Sequence, residues 1–357
     1  MYYALAILAL GFLIVVHEAG HYFVARWCGM RVERFSIGFG PGILKRQSRK
    51  TGTIFQLAPI PFGGFVEIRG MNIAEEVEPD DAAAYPNRPT WQRFVTIFAG
   101  PATNYVSAIV LALFLFTCHG VDSKERYIHV DDVLEGYDAV GKLEKDDRIL
   151  AVDAVPILAG VAPSLNKRVA DKNGAPLELK IRRGWEELQV TITPKPGKDE
   201  AGKPLTDKAG KQMFLLGIRP SARPDVKNVG VFEAAWHALK YPVEQTEVIA
   251  GGLYGIIVGT EKADPGGPVR IVDEFRKAFT YSLVEGLKLL MVLSVYLGLF
   301  NLFPLPALDG GRLVFLGYEM VTRRRANPKI EAMVHMSGIM ILGVVMILVT
   351  LNDCNVI

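Results

Sequence analysis

No Cys-x-x-Cys pair occurs in this chain, and its three cysteines, Cys28, Cys118 and Cys354, stand far apart. A thiolate zinc site and a disulfide framework both lose support from that spacing. Net charge is nearly absent: Lys+Arg 40 against Asp+Glu 38 leaves +2. Bulk charge therefore predicts no nucleic-acid partner. Histidine is scarce, with 6 in 357 residues, so two of them four positions apart carry weight.

Apolar residues, by contrast, are plentiful. They make up 50% of the chain, with a mean hydropathy of +0.22, and cluster into runs long enough for a bilayer. Four spans are expected: Tyr3 to Val24, Phe94 to Phe116, Leu283 to Phe303 and Val334 to Leu351. Each approaches the ~20 helical residues that cross ~30 Å of hydrocarbon. The first lacks the basic start and small-residue cleavage site of a signal peptide, so it reads as a retained helix.

Orientation follows the basic residues near the span ends. Arg26, Arg31, Arg34, Lys45, Arg46, Arg49 and Lys50 follow the first span, and Arg88 and Arg93 precede the second. Arg323, Arg324, Arg325 and Lys329 lie between the third and fourth. Both connections read as cytoplasmic. The termini and the segment His119 to Ser282 then fall outside, in a bacterium the periplasm.

Between the first two spans, Thr53 to Ala58 alternates and Pro59 to Val66 continues through Pro and Gly. That pattern predicts a β-hairpin dipping toward the membrane, or else a small cytoplasmic β-subdomain. The outer segment holds strand-like runs at Tyr127–Val130, Ile149–Val152, Leu177–Ile181 and Leu188–Ile192, with a helical stretch at 162–170. Residues 195–212 read as a loop. Val231 begins an amphipathic helix reaching about Leu253, either on the membrane surface or leading into the third span.

The chemistry concentrates in His17-Glu18-Ala19-Gly20-His21. Positions i and i+4 share a helix face, so both imidazoles reach one ion while Glu18 stands beside it. The motif lies inside an apolar helix, where each ionisable group costs about 3 kcal/mol and is functional by default. Zinc needs a further ligand and an open position. Asp309 is the candidate, in Asn301-Leu302-Phe303-Pro304-Leu305-Pro306-Ala307-Leu308-Asp309-Gly310-Gly311, where two prolines break the helix. Asp309 capping the following helix is the alternative. Both half-sites fall near the inner ends of their spans. His119, His129, His237 and His335 read as surface or boundary residues. A zinc-binding scaffold or transporter without peptidase activity is the rival function, though no internal repeat supports it.

The chain resembles site-2 proteases of the RseP type, in a single-PDZ form. The resemblance rests on HEAGH, on GFGP followed by PFGGFVEIRGM, on FAGPATN, on NLFPLPALDGGR, and on the partial PDZ turn Asp146-Asp147-Arg148-Ile149 with Val152-Asp153-Ala154. In that turn Asp146 and Ala154 replace the usual glycines. It implies a polytopic α-helical membrane protein of the inner membrane. Its four transmembrane helices would accompany a membrane-associated β-hairpin and one extracytoplasmic PDZ-like α+β domain. Expected boundaries are 1–26, 27–92 (hairpin region), 93–118, 119–222 (PDZ-like), 223–282 (amphipathic), 283–320, 321–333 and 334–357. By resemblance His17, His21 and Asp309 hold Zn2+ and Glu18 is the catalytic carboxylate. Asn301, Pro304, Pro306, Gly63 and Gly64 would bind an extended transmembrane substrate. Pre-trimmed anti-sigma factors or remnant signal peptides are the implied substrates, with an upstream site-1 protease as partner.

Overall fold

The computed structural model describes residues 1–72, 75–161, 164–184, 186–197, 204–206, 210, 212–262 and 266–354, without the side chains of 61, 62 and 124. The chain forms two compact units, Met1–His119 with Gly230–Ile357, and Gly120–Val229.

The first unit opens with helix α1, Tyr2–Trp27, whose buried residues Ala6, Ala9, Leu13, His17, Gly20, His21 and Ala25 follow three- and four-residue spacing. They form one face, as a helix packed on one side requires. Four strands follow: β1 Val32–Phe39, β2 Leu44–Gln47, β3 Ile54–Leu57 and β4 Ile60–Ile68. They join in the order β2-β3-β1-β4. The hairpin expected over 53–66 is therefore corrected. β3 and β4 do not pair with each other; β1 lies between them, parallel to β3 and antiparallel to β4. The chain leaves β3, rounds the end of β1 through Ala58-Pro59, and returns on its other side. Gly38, at φ +87°, allows that crossing, because a Cβ there would stand 2.8 Å from the carbonyl oxygens of Ala58 and Ile60. Helix α2, Thr90–Cys118, continues through Pro101.

The second unit holds β5 Val121–Val133, β6 Arg148–Val152, β7 Val155–Pro156, α3 Leu165–Asp171, β8 Leu177–Arg183, β9 Glu186–Ile192, β10 Lys195–Pro196, β11 Phe214–Leu215 and β12 Ile218–Lys227. The main sheet runs β12-β5-β6-β8-β9, with β7 on β6. All four expected strand runs are strands. The 222 boundary is corrected to the end of β12 and beyond. Pro220 and Pro224 hid that strand, and they are tolerated because β12 is an edge. The expected loop at 195–212 begins in β10, which pairs with β11; much of its remainder, like residues 162 and 163 of the expected helical stretch, lies outside the described residues. Val130, Ile149, Val152, Leu177, Leu179, Ile181 and Ile192 form the centre of the core. Asp147, buried beneath it, accepts Nε and Nη2 of Arg183 at 2.8 and 2.7 Å.

The chain then re-enters the first unit with α4 Val231–Val258, α5 Pro268–Tyr281, α6 Leu283–Leu302, α7 Asp309–Thr322 and α8 Pro328–Asp353. The helix expected from Val231 to about Leu253 runs to Val258, and a second helix follows it within the same segment. Gly259 in left-handed backbone ends the first and Pro268 starts the second. One face of α4 lies along α2, with Tyr241 edge-on to Phe116 and Tyr105 bonded to Thr246 at 2.9 Å. Phe275 and Phe279 of α5 pack against Ala6, Ala9, Leu13 and Leu290. Asp353 at the end of α8 accepts the backbone N–H groups of Gly267 and Arg270, both at 3.1 Å, and so caps α5. Four described helices, α1, α2, α6 and α8, are long and apolar enough to cross a membrane.

Candidate metal centre

Two helices bring the metal-binding groups together, and a third orients them. α1 presents His17 and His21 one turn apart; α7 presents Asp309 from its first turn. Asp309 Oδ2 lies 3.1 Å from His17 Nε2 and 3.3 Å from His21 Nε2, and the two ring nitrogens are 3.3 Å apart. Ligand atoms at about 2.0–2.1 Å from a tetrahedral zinc stand about 3.3 Å from one another. The triad therefore has the spacing of three zinc ligands with one position open. Two imidazole nitrogens and a carboxylate oxygen converging in a buried site are a donor set that suits a divalent cation. Among the described residues, these three form the His/Cys/Asp/Glu cluster able to hold a metal.

The approach to Asp309 is irregular backbone. Phe303 is extended after α6, and Ala307 holds φ +77° two residues before Asp309. That left-handed conformation costs an alanine about 1–2 kcal/mol, a local strain of the kind found at functional sites. α7 is tied further along: Glu319 accepts Nη2 of Arg93 and the hydroxyl of Thr90 at the start of α2.

α2 supplies the supporting contacts. His21 Nδ1 lies 2.9 Å from the backbone oxygen of Thr96, and His17 Nδ1 lies 3.0 Å from the carboxamide of Asn104. Such partners of the distal ring nitrogen fix tautomer and orientation. A Cβ at Gly100 would overlap the His21 ring, so a bare backbone is required there. Thr103 donates to the carbonyl of Val16 at 2.9 Å, locking the crossing. Small residues and hydroxyls are what close helix packing in lipid demands.

A cavity of about 500 Å3 opens on the triad. His17, Glu18, His21, Gly64, Asn301 and Asp309 line it together. Gly63, Pro304 and Pro306 lie outside that lining; a side chain at Gly63 would meet Phe39, and Pro306 abuts Gly338 of α8. No side chain fits at Gly64, between the Ser36 carbonyl and Glu18. β4 is an edge strand, and Gly64 to Val66 of it reach the same cavity. His335 also lines the wall, which corrects its reading as a boundary residue; nothing near it in sequence marks this. Sequence reasoning also passed over Thr96 and Asn104, although FAGPATN contained the latter. In an adjoining cavity of about 430 Å3, burial pushes the Tyr85 hydroxyl up to about 12, so it stays a proton donor beside Arg93 and Arg312.

The model of peptidase family M50 matches residues 5–345. A relative from Agrobacterium fabrum is 29% identical over 98% of this chain and 94% of its own length. Relatives from Fusobacterium nucleatum and Clostridium perfringens are 30% and 32% identical, each over 99% of this chain and 98% of its own length. All three bear the name "Putative zinc metalloprotease".

Proposed function

The chain belongs to peptidase family M50 and is a zinc metalloprotease of the membrane, and from that premise we propose that it hydrolyses peptide bonds inside the transmembrane segments of other membrane proteins. The observation that carries this is the placement of His17, Glu18 and His21 within α1, a helix apolar enough to cross a bilayer, with Asp309 brought against them. His17, His21 and Asp309 hold the zinc, which supplies Lewis acidity, making water reactive near neutral pH and polarising a carbonyl.

The chain's own residues do the rest. Glu18, one position past His17 and walled in by Gly64, takes the proton of the attacking water and returns it to the departing amine. A helical substrate hides its peptide bonds in its own hydrogen bonds, so it unwinds first. The free edge of β4 takes the unwound stretch as an added strand; β3, on the far side of β1, does not. Asn301 bonds the substrate backbone, with Pro304 and Pro306 shaping the approach and Gly63 and Gly64 letting β4 pack close against Phe39 and Glu18. The substrate class is pre-trimmed anti-sigma factors or remnant signal peptides, in regulated intramembrane proteolysis downstream of a site-1 protease. The protein sits in the bacterial inner membrane, with both termini and the PDZ-like unit outside.

Glu18→Gln tests the reading on a model transmembrane substrate. Zinc content should stay at the parent level while cleavage falls at least about 100-fold; cleavage at the parent rate removes Glu18 as the base. The second unit serves as a size filter. Replacing Gly120–Val229 with a short linker should let untrimmed substrate be cut, and unchanged selectivity defeats the filter.

A further inference from the structure

We propose that Asn104 is a positioning residue for His17, its carboxamide oxygen accepting the Nδ1–H of the ring so that Nε2 is held as a bare lone pair toward the metal. The contact is buried on both sides: Asn104 is 0% and His17 8% exposed. The carboxamide nitrogen faces His17 Nδ1 at 3.0 Å, and the oxygen, Oδ1, is buried with no hydrogen-bond partner. The two ends of a carboxamide fill nearly the same volume, so their assignment follows from the hydrogen bonds they make.

The ring decides between them. A neutral imidazole carries one N–H. His17 Nε2 points at Asp309 Oδ2 and His21 Nε2, at 3.1 and 3.3 Å, and must be unprotonated to ligate. The proton is then on Nδ1, which becomes a donor. Facing an NH2 group, it would set hydrogen against hydrogen. Facing the oxygen, it makes a bond and removes the orphan acceptor together.

His21 gives an internal control on the same helix. Its Nδ1 faces the Thr96 carbonyl at 2.9 Å, and a carbonyl can only accept. His21 therefore has the tautomer inferred for His17, fixed by backbone rather than by a side chain. Asn104 is itself held in place. Its backbone oxygen accepts the hydroxyls of Ser107 at 2.9 Å and of Ser294, on α6, at 3.0 Å. Those hydroxyls lie 2.6 Å apart. α6 thus braces the residue that orients the ligand on α1.

The test is zinc affinity by chelator competition on the full-length protein in detergent, with Asn104→Leu and Asn104→Asp. Leucine keeps the volume and loses the acceptor, so affinity should fall about 10- to 100-fold, the usual effect of removing such a partner. Aspartate can only accept, so affinity should stay within about threefold of the parent or rise. Leucine binding zinc as the parent does, or aspartate failing as leucine does, overturns the proposal. The aspartate arm keeps the test decisive if the leucine variant is unstable. The inference rests on His17 being a ligand; His17→Ala tests that premise apart, and zinc retained there at parent affinity removes the assignment on which the positioning role depends.

Discussion

The two units are built from different materials. The second is centred on Val130, Ile149, Leu177, Leu179, Ile181 and Ile192, all large apolar side chains closed off from solvent. The interior around His17, His21 and Asp309 has few of these. It is made of Gly20, Gly100, Thr96, Thr103, Asn104, Ser107 and Ser294, whose hydroxyls, amide and missing side chains set the distances between α1, α2 and α6. Water drives the first kind of core together by the hydrophobic effect. Between helices in lipid that drive is missing, and close approach and hydrogen bonds take its place. One consequence is that in the first unit the packing residues are also the residues that hold His17 and His21 in place. In the second, packing is separate from the chemistry.

The sharpest way to break this contrast is Gly100→Val. Three carbons would be driven into the space of the His21 ring, and neither the α2 backbone nor a ring tied to Thr96 has room to yield. Zinc content should drop below a tenth of the parent value, read by metal analysis of purified protein. A variant with full zinc would show that the helix crossing is looser than the contacts imply.

A change of comparable violence in the second unit should behave differently. Leu179→Ala removes a fully buried side chain and should cost about 2–5 kcal/mol. Pulse proteolysis of the full-length chain should show earlier cutting within 120–229. Zinc content should not move, because Leu179 belongs to a core that shares no residue with the metal centre. Zinc loss in step with unfolding of this unit would erase the distinction.

The same contrast explains what was legible in the sequence. His17, Glu18, His21 and Asp309 stood out because ionisable groups and prolines are conspicuous in apolar segments. The four spans and the four core strands of the second unit followed from hydropathy and alternation. What stayed hidden was pairing. β1 and β4 pair along their length although β2 and β3 intervene in the chain, and β3, the neighbour of β4 in sequence, looked like the partner. Asn104 and Thr96 were invisible for another reason: one acts through a backbone oxygen, the other is a lone amide in an apolar helix. His335 reaches the cavity from a different span. The break between α4 and α5 was written in Gly259 and Pro268 but lay within a segment read as one stretch.

The smallest predicted effect turns on a position in the second unit where glycine is missing. At Gly100 the value of glycine is the absence of a Cβ, and adding one should be ruinous. In the second unit the turns around β6 use left-handed backbone without it: Asp146 has φ 71° and Ala154 φ 63°. Alanine has no polar side chain to ease that conformation, which costs an L-residue about 1–2 kcal/mol. Glycine adopts it freely but loses more chain entropy on folding. Ala154→Gly should therefore stabilise the second unit by a net amount of about 0.5–1 kcal/mol, measured as slower pulse proteolysis within 120–229. Zinc affinity should stay at the parent value. If Ala154→Gly instead destabilised the unit, the methyl would have to contribute packing that outweighs its backbone strain, and the division between a volume-filled core and a conformation-limited turn would fail there.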